Sequence, residues 1–239
     1  MPKEELSILL KSVRLILASR SPRRRELLAE AGYEFEVIPP SEEAEEESFR
    51  SGESAAELAG RLARQKAADV VRRIANRFAV PSLLTPEKES VATAGGETDF
   101  SSRISAIVLG CDTVVECQGQ ILGKPTDQED ARRILQCLSG QEHWVYSGLC
   151  LWPLPTGKPQ CQVAASRLRM DSLRPEQLEE YLQSGQWQGK AGAFGYQDRL
   201  GWVHLLEGSE SNVVGLPLEL LAEMLAQMLP TNIGPSHPT

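Results

Sequence analysis

Apolar and polar positions along this chain follow two rhythms, and the places where one gives way to the other mark out its elements. Val13 to Ser19 (VRLILAS) is an aliphatic run of strand length, followed at once by RSPRRRELLAEAGY. Ser21 is an N-cap residue type. Pro22 suits the first helical position, where its missing N–H would go unbonded anyway, and Gly32 marks a helix end. The pattern predicts a strand, a tight loop and a helix, with the loop presenting a helix N-terminus. An extended stretch, Phe35 to Pro40, leads into the acidic run SEEAEEE. From about Glu53 to Phe78 the apolar residues Leu58, Leu62, Ala63, Ala67 and Val70 or Val71 recur at helical spacing, which predicts a long helix.

Between Ala79 and Arg103 the periodicity collapses into Pro, Gly, Ser and Thr, and residues 79–103 are expected to be an exposed loop insertion. Order returns at Ile104. The run ISAIVLGCDTVV is almost wholly apolar up to Asp112 and reads as a buried central strand with that carboxylate at or near its end. A hairpin through Gln118 and Gly119 follows, then a helix capped by Thr126 or Asp127 and closed by Gly140. HWVYSGLCLW is a strand, with Gln160 to Met170 as its neighbour, and Pro175 opens a helix through Leu182. The Gly-rich loop GKAGAFGYQDRLG leads into the strand WVHLLE, and a last helix is expected from Pro217 to about Leu229. Strands interleaved with helices argue for an α/β fold. One domain is expected over residues 13–229, with residues 1–12 as an N-terminal extension and residues 230–239 as a frayed tail.

Composition narrows the function classes. Of 239 residues, 41% are hydrophobic and 24% charged, enough apolar material for a core without outside staples. Twenty-five basic against 33 acidic residues leave a formal charge of −8, the opposite of a polynucleotide-binding footprint. No run approaches the roughly 18 apolar residues of a membrane span, and the N-terminus lacks a signal-peptide pattern. Five cysteines without a CxxC pair suit reduced thiols, read here as small apolar residues. A soluble, cytoplasmic protein is expected.

Candidate chemistry concentrates at a few points. Arg20, Arg23, Arg24 and Arg25 cluster at the strand-to-helix turn, where cations oppose the helix dipole unless an anion sits among them. Asp112, interior to an apolar run, needs a partner such as a metal, Arg or Lys. The acidic run Glu42 to Glu47 is a solvated face or a source of hard oxygen ligands for a divalent ion. SGQWQGKA fails the phosphate-loop spacing and has Ala191 where a hydroxyl should hold magnesium, and GKAGAFG is off the dinucleotide fingerprint. His143, His204 and His237 form no zinc spacing and read as locally satisfied. Nothing identifies a histidine that would activate Cys111 as a nucleophile.

The segments LILASRSPRRRELL, RLARQKA, LGCDTVV, GKPTDQEDARRIL with LSGQEHWVYSG, GKAGAFGYQ and NVVGLPLELL occur in the order that marks the Maf family of nucleoside triphosphate pyrophosphatases, and from about Leu15 to Leu225 the chain resembles it. The resemblance implies an inosine-triphosphatase-like (Maf-like) α/β fold, an elongated mixed sheet with helices and a cleft between two lobes. It implies hydrolysis of a nucleoside triphosphate to monophosphate and pyrophosphate with a divalent metal, magnesium or manganese. Asp112 matches the proton acceptor, and Arg23, Thr113 and Gln197 match the substrate-discriminating positions, resembling the dTTP/UTP subgroup. A Gln amide offers one donor and one acceptor, which suits the N3–H and O4 or O2 of uracil or thymine. By the same resemblance Ser19, Ser21, Arg24, Lys66, Lys124 and Lys190 are phosphate or active-site contacts, and Glu43 joins Asp112 at the metal. Cys111, Phe194, Asp198 and Glu210 depart from the family pattern. A 7-methyl-GTP or purine-directed pyrophosphatase, or a non-catalytic regulator of septum formation, stay open as alternatives, and a homodimer is implied by the family but by no surface stripe.

Overall fold

The computed structural model describes residues 13–45, 49–77, 104–155, 157–198 and 200–229. The expected insertion at 79–103, the N-terminal extension and the C-terminal tail lie outside the described residues. Among the described residues no helix is long and apolar enough to cross a membrane.

Seven strands form one mixed sheet: β1 (Arg14–Ala18), β2 (Phe35–Val37), β3 (Ala106–Cys117), β4 (Gln120–Leu122), β5 (Glu142–Leu154), β6 (Gln160–Met170) and β7 (Val203–Glu207). Their order is β2-β1-β3-β5-β6-β7, with β4 hairpinned onto β3. β1 runs parallel to both β2 and β3, and the remaining pairs are antiparallel. The helices are α1 (Pro22–Glu30), α2 (Glu42–Glu45), α3 (Ala55–Arg77), α4 (Gln128–Leu138), α5 (Pro175–Ser184), α6 (Glu210–Val214) and α7 (Leu218–Met228).

β3 and β5 form the spine, because both are longer than any neighbour. Their alternating side chains feed two layers. Ile107, Leu109 and Cys111 point into a core closed by Leu28 of α1 and Leu221, Met224 and Leu225 of α7. Val108 and Cys150 point the other way, under Ala63, Ala67, Val70 and Val71 of α3. Beyond the end of β1, the far half of β3 belongs to a third core, where Val115 and Cys117 meet Ile134, Leu135 and Leu138 of α4, Leu178 and Leu182 of α5, and Phe194. The two lobes therefore share the strand pair β3 and β5.

α3 sits unusually close to that strand pair. A Cβ on Gly148 would lie 2.5 Å from the Ala59 carbonyl carbon and 2.7 Å from the Gly60 nitrogen, and one on Gly110 would lie 2.9 Å from the Ala67 Cβ. Glycine at these two positions lets helix backbone rest directly on sheet backbone.

Several boundaries differ from the sequence expectation. The long helix starts at Ala55 rather than Glu53 and is described through Arg77. The last helix, α7, begins after its N-cap Pro217 and runs to Met228 as expected, and a short helix, α6, which the sequence did not signal, precedes it. Asp127 rather than Thr126 caps α4, accepting from the Asp130 N–H. Ser21 occupies the N-cap of α1 with extended backbone but makes no side-chain cap bond; its own N–H goes to Ser19 Oγ at 3.1 Å.

Candidate active site

Asp112 stands in the middle of β3, not at its end as the apolar run suggested. The strand that ends there is its neighbour: β1 stops at Ala18, opposite Gly110. On that side Asp112 and Thr113 have lost their parallel partner, and the loop Ser19–Ser21 turns away into α1. A gap opens beside a buried carboxylate, at the point where the chain reverses the direction of strand pairing.

α3 fills one wall of this gap. Lys66 is 1% exposed, and its Nζ is hydrogen-bonded to Asp112 Oδ1 and lies 2.8 Å from Glu45 of α2. Burial by itself pushes the Lys66 ammonium down, and the Arg24 charge adds to that. Asp112 and Glu45 outweigh both, and the net shift is upward. Lys66 is thus held as a cation between two carboxylates. Asp112 Oδ2 is buried and accepts no hydrogen bond from the described residues.

The opposite wall carries Arg24. It is 8% exposed and its donors are spread over three acceptors: Nε to the Gly215 carbonyl at 2.8 Å, Nη1 to Ser19 Oγ at 3.3 Å and Nη2 to Thr113 Oγ1 at 3.1 Å. The Gly215 carbonyl also accepts from Cys111 Sγ at 3.1 Å, and burial pushes that thiol up. Cys111 is thus a buried, hydrogen-bonded thiol. Arg23 reaches the Gly189 carbonyl at 3.1 Å, and its guanidinium is pushed down, first by burial and then by Arg24. Lys190 is paired with Asp198, eight residues on, across a turn made at Gly192 with φ of 71°. His143 lies buried on β5, edge-on to Phe194 at 5.4 Å, and burial pushes its imidazole down to about 4, so it is a neutral core residue.

These walls enclose a cavity of about 410 Å³ lined by Ser19, Ser21, Arg20, Arg23, Arg24, Glu45, Lys66, Asp112, Thr113, Lys124, Lys190, Phe194 and Gln197. Nearly all the residues picked out in the sequence line one space, although they come from β1, α1, α3, β3 and the two loops after β4 and α5. Arg25 and Glu43 are the exceptions. Arg25 is on the exposed face of α1. Glu43 is exposed at the start of α2, where Ser41 and its own backbone N–H hold the carboxyl below the usual range. Glu43 therefore stands outside the cavity: α2 is a single turn, Ala44 is its buried position, and Glu45 is the carboxylate of this helix that lines the cavity. Sequence reasoning also missed the Gly215 carbonyl, Ser147 and Asn212. NVVGLP was visible as a segment, but nothing in it signals that a carbonyl receives an arginine from the other end of the chain.

A mixed α/β sheet whose pairing reverses over a buried Asp–Lys pair, under a rim of arginines and lysines, defines an α/β protein with a cation-rimmed cleft. The chain belongs to the Maf family: the family model described as Maf-like protein matches residues 14–228. Among its relatives is a protein named dTTP/UTP pyrophosphatase from Rhodopirellula baltica, 45% identical over 212 residues, which span 88% of this chain and 80% of the relative. Proteins of the same name from Dictyoglomus thermophilum and Brucella abortus are 34% and 38% identical. The matches cover 90% and 89% of this chain and 95% and 90% of those proteins.

Proposed function

We propose that this protein hydrolyses dTTP and UTP to the monophosphate and pyrophosphate. The observation that carries the reading is the buried pair of Lys66 and Asp112, with one Asp112 oxygen unengaged by the described residues, on the floor of a cavity rimmed by cations. A triphosphate brings up to four negative charges, and Arg20, Arg24 and Lys124 line the cavity that would receive it. Water held by Asp112 Oδ2 gives up a proton to that oxygen as its own oxygen bonds to the α-phosphorus. The α–β bridging bond breaks, and the electron pair leaves with pyrophosphate. Lys66, bonded to Asp112 Oδ1, orients the carboxylate so that Oδ2 is left for the water, and the guanidiniums offset the charge on the phosphates.

The donor set also fits a magnesium or manganese ion. Asp112 Oδ2 and the Glu45 carboxylate are hard oxygens on one cavity. Among the described residues no group of three or more His, Cys, Asp or Glu forms a cage. Magnesium is commonly held in this way, by one or two carboxylates with the remaining positions filled by phosphate and water. Asp112 and Glu45 would hold it, and its contribution when bound is to neutralise phosphate charge.

Gln197, at the exposed rim, supplies the donor and acceptor that suit uracil or thymine, with Arg23 beside it. The printed names of the relatives support the same substrates. Reduced cysteines agree with a cytoplasmic location.

The test is pyrophosphate release from dTTP, UTP, CTP, 7-methyl-GTP and ITP with magnesium or manganese, run beside Asp112→Asn. The expected result is preference for dTTP and UTP, with a loss of about 100-fold or more in the variant. Preference for 7-methyl-GTP or ITP overturns the substrate, and full activity in the variant overturns the mechanism.

A further inference from the structure

Asp69 is a buried carboxylate for which the hydrolytic reading has no use. It is 7% exposed and stands three residues beyond Lys66 on α3, on the same face of the helix, yet it does not line the cavity. Its oxygens are turned to a single residue: Oδ2 accepts from the Ser41 N–H at 2.9 Å, and Oδ1 accepts from Ser41 Oγ at 3.3 Å. Arg73, half exposed and 3.7 Å away, is its cation. Two parallel hydrogen bonds to one carboxylate fix direction as well as distance.

Ser41 is where such a grip has most effect. The chain reaches it through Pro39 and Pro40, which have no N–H, so Ser41 carries the first backbone donor of the segment. It then opens α2: its Oγ accepts from the Ala44 N–H at 3.4 Å, and its carbonyl accepts from the Glu45 N–H at 3.2 Å. A single helical turn has no stability of its own, so its direction is set by what holds its ends. Asp69 holds the start. Arg73 and Arg20 hold the approach, donating to the Pro39 carbonyl at 2.7 Å and to the Pro40 carbonyl at 3.2 and 3.1 Å. Gln65 of α3 reaches the Ala44 carbonyl at 3.4 Å. At the far end of the turn stands Glu45, 2.8 Å from Lys66. Both anchors therefore belong to α3, where Asp69 grips the start of the turn and Lys66 meets its end.

We propose that Asp69 is a positioning residue, which seats α2 through Ser41 so that Glu45 reaches Lys66 and the cavity. This deepens the nucleotide-pyrophosphatase reading and rests on it, because it takes Glu45 as a carboxylate that supports the metal. Asp69 lies outside the cavity and acts through Glu45.

The experiment compares wild type with Asp69→Ala, Asp69→Asn, Ser41→Ala, Glu45→Gln and the double variant Asp69→Ala/Glu45→Gln. It measures kcat and KM on UTP, the magnesium concentration for half-maximal rate, and manganese bound by the enzyme alone, read from the paramagnetic resonance signal of the free ion. Thermal melts check that each variant is folded. Asp69→Ala is expected to weaken manganese binding and to raise the half-maximal magnesium concentration, each about ten-fold. The KM for UTP at saturating magnesium should stay within about two-fold. An Asn side chain keeps an acceptor for the Ser41 N–H and offers a donor to its hydroxyl, so Asp69→Asn should stay within about two-fold of wild type throughout. Ser41→Ala breaks one of the two bonds from the other side. It shifts both metal readouts in the same direction by a smaller factor, and it carries the test if Asp69→Ala does not fold. In the double variant the Asp69→Ala effect disappears, leaving the values of Glu45→Gln alone. An unchanged metal dependence in Asp69→Ala, an Asp69→Asn protein as impaired as Asp69→Ala, or an Asp69→Ala effect that persists in the double variant overturns the proposal. A wild type that binds manganese but hydrolyses nothing refutes the enzymatic reading alone, and the manganese comparison still decides the role of Asp69. If wild type hydrolyses UTP but takes up manganese only with nucleotide, the magnesium dependence decides it. A wild type that does neither refutes both.

Discussion

Replacing Gly148 by alanine tests whether the seat of α3 sets the geometry of the catalytic pair. Gly148 is an ordinary extended strand residue opposite Asp112, so a methyl group there brings no backbone strain of its own. The added carbon would stand 2.5 Å from the Ala59 carbonyl carbon, about 1 Å short of the ordinary contact distance near 3.4 Å. The obstacle is helix backbone, which has no rotamer to yield, so α3 must lift. Overpacking of this kind costs about 1–3 kcal/mol, and the upper figure applies where backbone is the obstacle. For a chain of this size about 3 kcal/mol lowers Tm by roughly 6–12 °C. Because Lys66 rides on α3, a lift of about 1 Å misplaces its ammonium against Asp112, and misplacement on that scale costs about 100-fold in rate. Thermal melts and pyrophosphate release from UTP read the two effects. Gly119→Ala is the control: Gly119 has φ of 76° and nothing near its added carbon. It should lose about 1–2 kcal/mol of stability for the left-handed conformation and no activity. A Gly148→Ala protein that melts with wild type and turns over at the wild-type rate refutes the reasoning.

Two other substitutions probe the same cavity. Lys66→Met strands Asp112 and Glu45 without their shared cation and should cost about 3–5 kcal/mol in urea unfolding, part of which returns in Lys66→Met/Asp112→Asn; a double-variant cycle with no coupling contradicts the pairing. Since Lys66 is shifted upward from its ordinary 10.5, its stabilisation is complete below that value. It is lost only as pH rises through the still higher folded value, so the gap between wild type and Lys66→Met should stay level from pH 7 to 9 and shrink above about 10.5. Glu45→Gln is expected to raise the magnesium concentration for half-maximal activity about ten-fold and Glu43→Gln to leave it within about two-fold; the reverse order would return the metal to Glu43.

How far the sequence could be read follows from the range over which each signal acts. β1, the loop and α1 were legible because aliphatic run, proline and glycine act within a few residues of themselves. β3 was legible as a buried strand from its unbroken apolar run, and Asp112 stood out as its one carboxylate. The placement of Asp112 within the strand was not, because what ends near it is β1, a partner whose length no pattern in β3 records. Glu43 and Glu45 could not be told apart, since a single helical turn has no period to set its phase. Ser147 and Asn212 were silent for a different reason. Their roles arise from the register Thr113 to Ser147 and from carbonyl groups, which every residue carries alike. Lys190 lines the cavity, and its pairing with Asp198 was not legible because it depends on a loop that doubles back at Gly192.

The bond from Arg24 to the Gly215 carbonyl spans 191 residues. On the ribosome that distance becomes time. A nascent chain already holds Arg24, Lys66 and Asp112 long before Gly215 is made, yet Arg24 lacks its shortest anchor and Thr113 and Ser147 lack the Asn212 segment that fixes their bonds. Non-local closure of this kind also comes late in folding. Unfinished chains, and fragments cut short before Ser209, would lack a completed cleft. Capacity to consume nucleotides would then be acquired only once synthesis has passed the residue that closes the wall.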